Sequence, residues 1–295
     1  MKSITVFTPT FNRAYCLHQV YDSLVAQTNP DFVWMIIDDG SSDTTKALVQ
    51  SWIDAKKIDI QYIYQDNQGM HGAHNTAYQN ITTEFNVCID SDDFMPNNAI
   101  ELILSKKELL QNPSYAGLIG LDADKNGAII GTTIPNNIVD STLNDLYYKH
   151  RISGDKKVVL KTSVVKQFPL YPIFNGEKLV PLGTLYLLID QKFKWLCTND
   201  VLCVVEYLAD GSSNTILKQY RVSPKGFGYS RQVKMKYAPT FKEKLKSAVH
   251  LISSAIFAKD FSLLTQTPNP ILTILALPFG VVLNAYIRFK TQSTS

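Results

Sequence analysis

Three apolar runs each end abruptly in a string of polar side chains, and this arrangement limits the fold more than any other feature of the chain. Ile4 to Phe7 is followed by Thr8-Pro9-Thr10-Phe11-Asn12-Arg13, Phe32 to Ile37 by Asp38-Asp39-Gly40-Ser41-Ser42-Asp43, and Phe85 to Ile89 by Asp90-Ser91-Asp92-Asp93. Between them Leu17, Val20, Tyr21 and Leu24, and later Leu48, Val49, Trp52 and Ile53, recur at helical spacing, while Ile58 to Ile63 alternates as a further strand. Strand, helix, strand is the rhythm of an α/β domain with a mostly parallel central sheet. In such sheets ligands sit beyond the carboxyl ends of the strands, where all three polar strings fall.

The residue types at those ends suit a charged, hydroxyl-rich ligand. Carboxylates spaced like Asp90, Asp92 and Asp93 offer hard oxygen donors to magnesium or manganese, which also take ligands from a diphosphate. Asp38 and Asp39 can accept hydrogen bonds from a base N–H and from ribose hydroxyls. Each string also has a plainer reading as a turn before a helix, with Asp43 as a capping residue.

The strings TPTFNRAYCL, VWMIIDDGSSDTT, NQGMHGAHNTAYQNITTEF and VCIDSDDFMPNNAI resemble, in order and spacing, the N-terminal motifs of family 2 glycosyltransferases with the GT-A fold. FNGEKLVPLGTLYLL, VVEYLADGSS and SPKGF are similar to strings of a subgroup that builds bacterial surface polysaccharides, including capsule, exopolysaccharide and O-antigen. The resemblance implies a Rossmann-type nucleotide-sugar domain over residues 1–215, with a nucleotide-binding half (1–110) and an acceptor-binding half (111–215), and a helical tail over 216–295. It implies that Thr8, Pro9, Thr10, Asn12, Arg13, Asp38, Asp39, Asn67, His74, Asn75, Asp90 and Ser91 line the nucleotide pocket. Asp92, with Asp90, would hold Mn2+ or Mg2+. Where the family usually places Arg or Lys before the Asn of its third motif, this chain has His74; a histidine packed beneath the sheet is the other reading.

The implied reaction is transfer of one sugar from a nucleotide sugar, a UDP-sugar by family habit, to a glycan acceptor. Attack of an acceptor hydroxyl on the anomeric carbon, with a carboxylate taking the proton, inverts the configuration. The subgroup places its base at one of two acids spaced as in EKxxPE. Here Glu177 keeps the first position and Leu182 occupies the second, so Glu177 is the candidate base, with Asp155 in reserve. Gln191-Lys192-Phe193-Lys194-Trp195 faintly resembles the QxxRW string of processive synthases, but Phe193 and Trp195 read as packing residues.

Composition separates the two ends. Residues 216–295 carry 12 Lys or Arg against Glu243 and Asp260, whereas residues 1–215 carry 17 basic and 24 acidic residues. The acidic part argues against a nucleic-acid partner, and the basic, apolar tail predicts an anionic lipid surface. Phe261 to Ile287 is charge-free, with Pro278 and Gly280 interrupting its last 17 residues. That predicts a segment lying in or dipping into one leaflet, with a buried core helix as the alternative. The expected place is the cytoplasmic face of a membrane, peripheral or monotopic, with a lipid-linked glycan as acceptor. Four unclustered cysteines read as free thiols. A sugar-phosphate nucleotidyltransferase or a dehydrogenase would need a glycine-rich loop after strand one, which TPTFNRAY lacks. Leu182 also admits a degenerate transferase that binds nucleotide or glycan without turnover.

Overall fold

The computed structural model describes residues 2–206 and 215–292. The strands are β1 (Ile4–Thr10), β2 (Phe32–Asp38), β3 (Ile60–Tyr64), β4 (Phe85–Cys88), β5 (Tyr115–Ala123), β6 (Asp140–Ser141), β7 (Lys156–Lys161) and β8 (Lys194–Val204). The helices of the sheet region are α1 (His18–Val25), α2 (Thr45–Ala55), α3 (Met70–Asn80), α4 (Ala99–Ser105), α5 (Lys107–Leu110), α6 (Leu143–Tyr148) and α7 (Thr162–Val165). Then follow α8 (Gly183–Ile189), α9 (Ile216–Val222), α10 (Pro224–Tyr237), α11 (Phe241–Ala258), α12 (Ser262–Thr265) and α13 (Pro270–Gln292).

All eight strands form one sheet in the order β3-β2-β1-β4-β7-β5-β8-β6. The first four run parallel, as the alternation of strands and helices requires. β7 is antiparallel to both β4 and β5, β8 is parallel to β5, and β6 is antiparallel to β8. The sheet is therefore mixed rather than purely parallel, with four parallel pairings and three antiparallel ones. Between β5 and β7 the chain makes only β6 and the short α6, with no crossover helix, so it re-enters the sheet from the edge where β5 ended. This places the carboxyl ends of β1, β2, β4, β5 and β8 and the start of β7 along one edge.

Contacts divide the chain into two units: residues 1–67, 72–169 and 192–208, and residues 68–71, 170–191 and 209–295. The division differs from a single boundary at 215, because 170–191 groups with the C-terminal helices. In the first unit β1 and β2 are buried almost throughout, which is why they read as unbroken apolar runs. Tyr21 stacks on Trp52 at 4.4 Å and Trp34 lies 5.7 Å from Trp52, fixing α1 and α2 on one face.

In the second unit α10, α11 and α13 share a core of Met235, Ala248, Leu251, Ile252, Leu272 and Ala276. Pro278 does not interrupt the tail: α13 is continuous across it. Gly280 is needed there because a Cβ would come within 2.5 Å of Ile252 Cβ, so its absence lets α13 close on α11. One stripe of α13, including Leu272, Ala276, Gly280, Asn284 and Ile287, is buried. The rest is bare, with Ile271 73%, Val282 68% and Phe289 72% exposed.

Candidate functional site

At the end of β1, Thr8 is committed to the core, where its hydroxyl accepts the Trp34 indole N–H at 3.0 Å. Pro9 and the buried Thr10 complete the strand. Asn12 adopts a left-handed φ of 54°, and its Oδ1 accepts the backbone N–H groups of Ser42 (2.8 Å) and Asp43 (3.3 Å). Its own N–H donates to Ser41 Oγ at 2.8 Å. Asp43 bonds the Thr45 N–H at the start of α2 and the Ala14 N–H at 3.1 Å. The loops after β1 and β2 are thus sewn together. Arg13 lies over the Tyr15 ring and bonds its hydroxyl.

Asp38 is fully buried; Oδ1 accepts the Ser41 N–H at 2.8 Å and Oδ2 the Tyr62 hydroxyl at 2.5 Å. Burial and this carboxylate push the Tyr62 phenol well above its usual range. Asp39 accepts Gln65 Nε2 at 2.7 Å, and Gln65 in turn accepts the Thr76 hydroxyl at 2.5 Å. Gly40, at φ 87°, lies against Asn67, whose backbone nitrogen is 3.0 Å from where a Cβ would stand. Asn75 is buried on α3, as is His74, which meets Phe7 and Tyr78 edge-on at 5.1 and 5.9 Å.

After β4 the chain turns, with the Asp93 N–H donating to the Asp90 carbonyl at 3.1 Å. Asp93 is the anchor of this turn. It is buried, accepts the Glu206 N–H at 3.2 Å and the Cys203 thiol at 3.7 Å, and burial pushes its carboxyl up to about 7. Phe94 bridges Val204 in the same sense. Ser91 is buried, while Asp90 and Asp92 remain half-exposed at the rim. Beneath the turn, Lys157 donates to the Cys88 carbonyl at 3.5 Å. Burial acts against its charge, but Cys203, Asp122, Asp90 and Asp93 around it outweigh that and hold the ammonium well above its ordinary range.

Lys157 and Asp122 were missed in the sequence. The signal was faint: in Lys156-Lys157-Val158-Val159 one charged residue lies two positions before the buried Val159, on the same face of the strand. Lys156 points elsewhere, donating to the carbonyls of Ser153, Ile130, Asp155 and Gly154 at 2.8 to 3.3 Å. It thereby ties down the loop carrying Asp155, whose side chain is exposed. Burial and the charges of Asp155 and Asp122 push Tyr147 up to about 12.

Glu177 belongs to the second unit. Its two oxygens accept the N–H groups of Lys225 (2.9 Å) and Gly226 (2.8 Å), so it caps the first turn of α10. The segment is tightly held: a Cβ on Gly69 (φ 83°) would lie 1.9 Å from the Lys178 carbonyl oxygen. Burial raises the Glu177 carboxyl while the two N–H donors pull it back.

Among the described residues no group of three or more His, Cys, Asp or Glu side chains forms a ready metal nest. Two half-exposed carboxylates at Asp90 and Asp92 fit a divalent ion that takes its remaining ligands from diphosphate and water.

Residues 5–132 match the model of Glycosyl transferase family 2. A GalNAc(5)-diNAcBac-PP-undecaprenol beta-1,3-glucosyltransferase of Campylobacter jejuni is 32% identical over 124 residues, covering 41% of this chain and 38% of that protein. A chondroitin synthase of Escherichia coli is 31% identical over 125 residues, covering 42% of this chain and 18% of that one. The matched stretch is therefore well under half of either relative. In fold, the chain is similar to S. aureus TarS 1-349 in complex with UDP-GlcNAc (TM-score 0.60, 14% identity, 99% of this chain and 92% of that one). It is also similar to the mannosyltransferase PcManGT of Pyrobaculum calidifontis in complex with GDP-Man and Mn2+ (TM-score 0.57, 16% identity, 98% and 83%). With its motifs in family order on a sheet of this topology, the chain carries a family 2 glycosyltransferase domain over residues 5–132 and has the GT-A fold.

Proposed function

We propose that the protein transfers one sugar, with inversion, from a UDP-sugar to a lipid-linked glycan acceptor of a bacterial surface polysaccharide. The carrying observation is the turn after β4, which leaves Asp90 and Asp92 half-exposed while Asp93 and Lys157 pin it from behind. Asp38 and Asp39, held by Ser41, Tyr62 and Gln65, present a fixed acidic wall for base and ribose. Asp92 and Asp90 would hold Mn2+ or Mg2+, which as a Lewis acid offsets charge on the departing diphosphate. The donor class and the lipid-linked acceptor are carried over from what the named relatives and neighbours bind.

The proton acceptor is assigned to Asp155. Its exposed carboxylate lies in the same unit as Asp90 and Asp92, on a loop secured by Lys156, whereas both oxygens of Glu177 are engaged at α10. The bare face of α13, with Arg288 and Lys290 beside it, fits a peripheral or monotopic membrane association. That engagement of Glu177, with Leu182 in the second acid position, also favours a second reading in which the protein binds donor without turnover. Incubation with a panel of nucleotide sugars and Mn2+ separates the two: release of nucleoside diphosphate supports transfer, and NMR of the product's anomeric proton tests inversion. Donor binding with no turnover on any acceptor would leave the second reading.

A further inference from the structure

One oxygen of the buried Asp122 carboxylate has no partner among the described residues. The side chain stands near the end of β5, with the residue only 3% exposed, and its Oδ1 is closed to solvent without a hydrogen bond. Buried polar atoms are nearly always paired, so such an orphan calls for a partner that the protein itself does not supply. The strand end around it is firmly held: the Asp122 carbonyl accepts the Ile130 N–H at 2.8 Å, and the Ala123 carbonyl accepts the Val205 N–H at 2.8 Å.

Strand pairing fixes what surrounds this carboxylate. In β8 its partner is Cys203, whose thiol donates at 3.7 Å to Asp93, the anchor of the turn that carries Asp90 and Asp92. In β7, Lys157 lies opposite Gly120, two residues before Asp122 and on the same face of the sheet. Its ammonium donates to the Cys88 carbonyl at the end of β4. The ladder between β5 and β7 closes with Leu121 opposite Lys156, so Asp122 and Asp155 are the next residues outward on either side. Asp122 thus stands between the turn of Asp90 and Asp92 and the loop of Asp155, all within the first unit. In the transfer proposed above, the donor diphosphate lies at the first and the attacking hydroxyl at the second, with the sugar ring between them. A carboxylate oxygen accepts a hydrogen bond from a sugar hydroxyl, and an Asp side chain turns readily about its last bond, so either oxygen can meet it.

We infer that Asp122 contacts the donor, its carboxylate accepting a hydrogen bond from a ring hydroxyl of the sugar and so selecting among nucleotide sugars. The assignment rests on the transferase reading above. The test is calorimetric titration of the full chain, in Mn2+, with UDP and with UDP-glucose, UDP-galactose and UDP-GlcNAc, to find the tightest donor. Asp122→Ala should weaken that donor by about tenfold or more, as loss of a charge-assisted hydrogen bond does, and leave UDP unchanged. Asp122→Asn, which keeps one acceptor oxygen, should lose less. Neither variant should lower the melting temperature, because the orphan oxygen serves the ligand and not the fold. A second arm needs no variant. Removing the contacted hydroxyl strands the buried oxygen, so among analogues of the donor each lacking one hydroxyl, one should bind the wild type at least about tenfold more weakly. Asp122→Ala should erase that discrimination. Donor binding undiminished in Asp122→Ala, an equal loss for UDP, or a wild type indifferent to every hydroxyl deletion would overturn the inference. Failure of the wild type to bind UDP would instead sink the transferase reading, and this contact with it.

Discussion

The edge of the sheet and the helical unit handle buried charge in opposite ways. At the strand ends carboxylates are over-determined: Asp38 accepts two hydrogen bonds, Asp93 accepts two more, and Lys157 lies among Asp90, Asp93 and Asp122. In the helical unit Lys234 and His250 are held beside other cations with no such partners among the described residues. A group bound on several sides is being positioned, and the side chains left at the rim next to it are the ones available for chemistry.

Breaking the first arrangement should cost activity most. Asp92→Ala should abolish transfer with little loss of stability, because the side chain is half-exposed and outside the core; excess EDTA should do the same. Wild-type rates in EDTA would contradict the metal assignment. Next, Asp155→Asn should lower kcat by about 10²- to 10⁴-fold, as loss of a general base does, without changing the melting temperature. Glu177→Ala should show the reverse, a loss of about 2–3 kcal/mol in urea unfolding from two broken charge-assisted bonds at α10, with kcat in the folded protein little altered. If Glu177→Gln is inactive and Asp155→Asn active, the two roles are exchanged.

The helical unit yields smaller effects. Val282→Asp and Phe289→Asp alter the bare face of α13 and should release the protein from anionic vesicles while leaving turnover on a soluble acceptor intact. Point changes are the right probe, since truncating α13 would also strip Leu272 and Ala276 from the core. The smallest effect concerns pH. His250 faces Arg231 and Lys234 of α10, Lys246 of its own helix and Tyr220 of α9, and is held down to about 3. The unfolded chain then binds more protons than the folded one between about pH 6.5 and 3, so stability should fall as pH drops through that window. His250→Gln should flatten the slope of melting temperature against pH; an unchanged slope would assign it elsewhere.

Much of the first hundred residues was legible because β1, β2 and β4 are buried nearly throughout, so apolar runs and strand ends coincide. The same patterning failed at β7, where Lys156 and Lys157 open a buried strand and their charges hide it. The mixed sheet was hidden for a related reason, since direction depends on the missing crossover helix and not on any local string. Of the predicted site, Asp38, Asp39, Asp90 and Asp92 fall on the expected edge. Thr8, His74 and Glu177 also make packing or capping contacts across 26, 67 and 49 positions of sequence that no motif encodes.

The central claim is that the strand-end carboxylates bind a nucleotide sugar. The direct measurement is calorimetric titration of UDP-sugars into the full-length chain with and without Mn2+, repeated with Asp92→Ala. The account predicts saturable binding of at least one UDP-sugar that Mn2+ strengthens and Asp92→Ala weakens to the metal-free level. Binding indifferent to both Mn2+ and Asp92, or no binding by a folded protein, would contradict it.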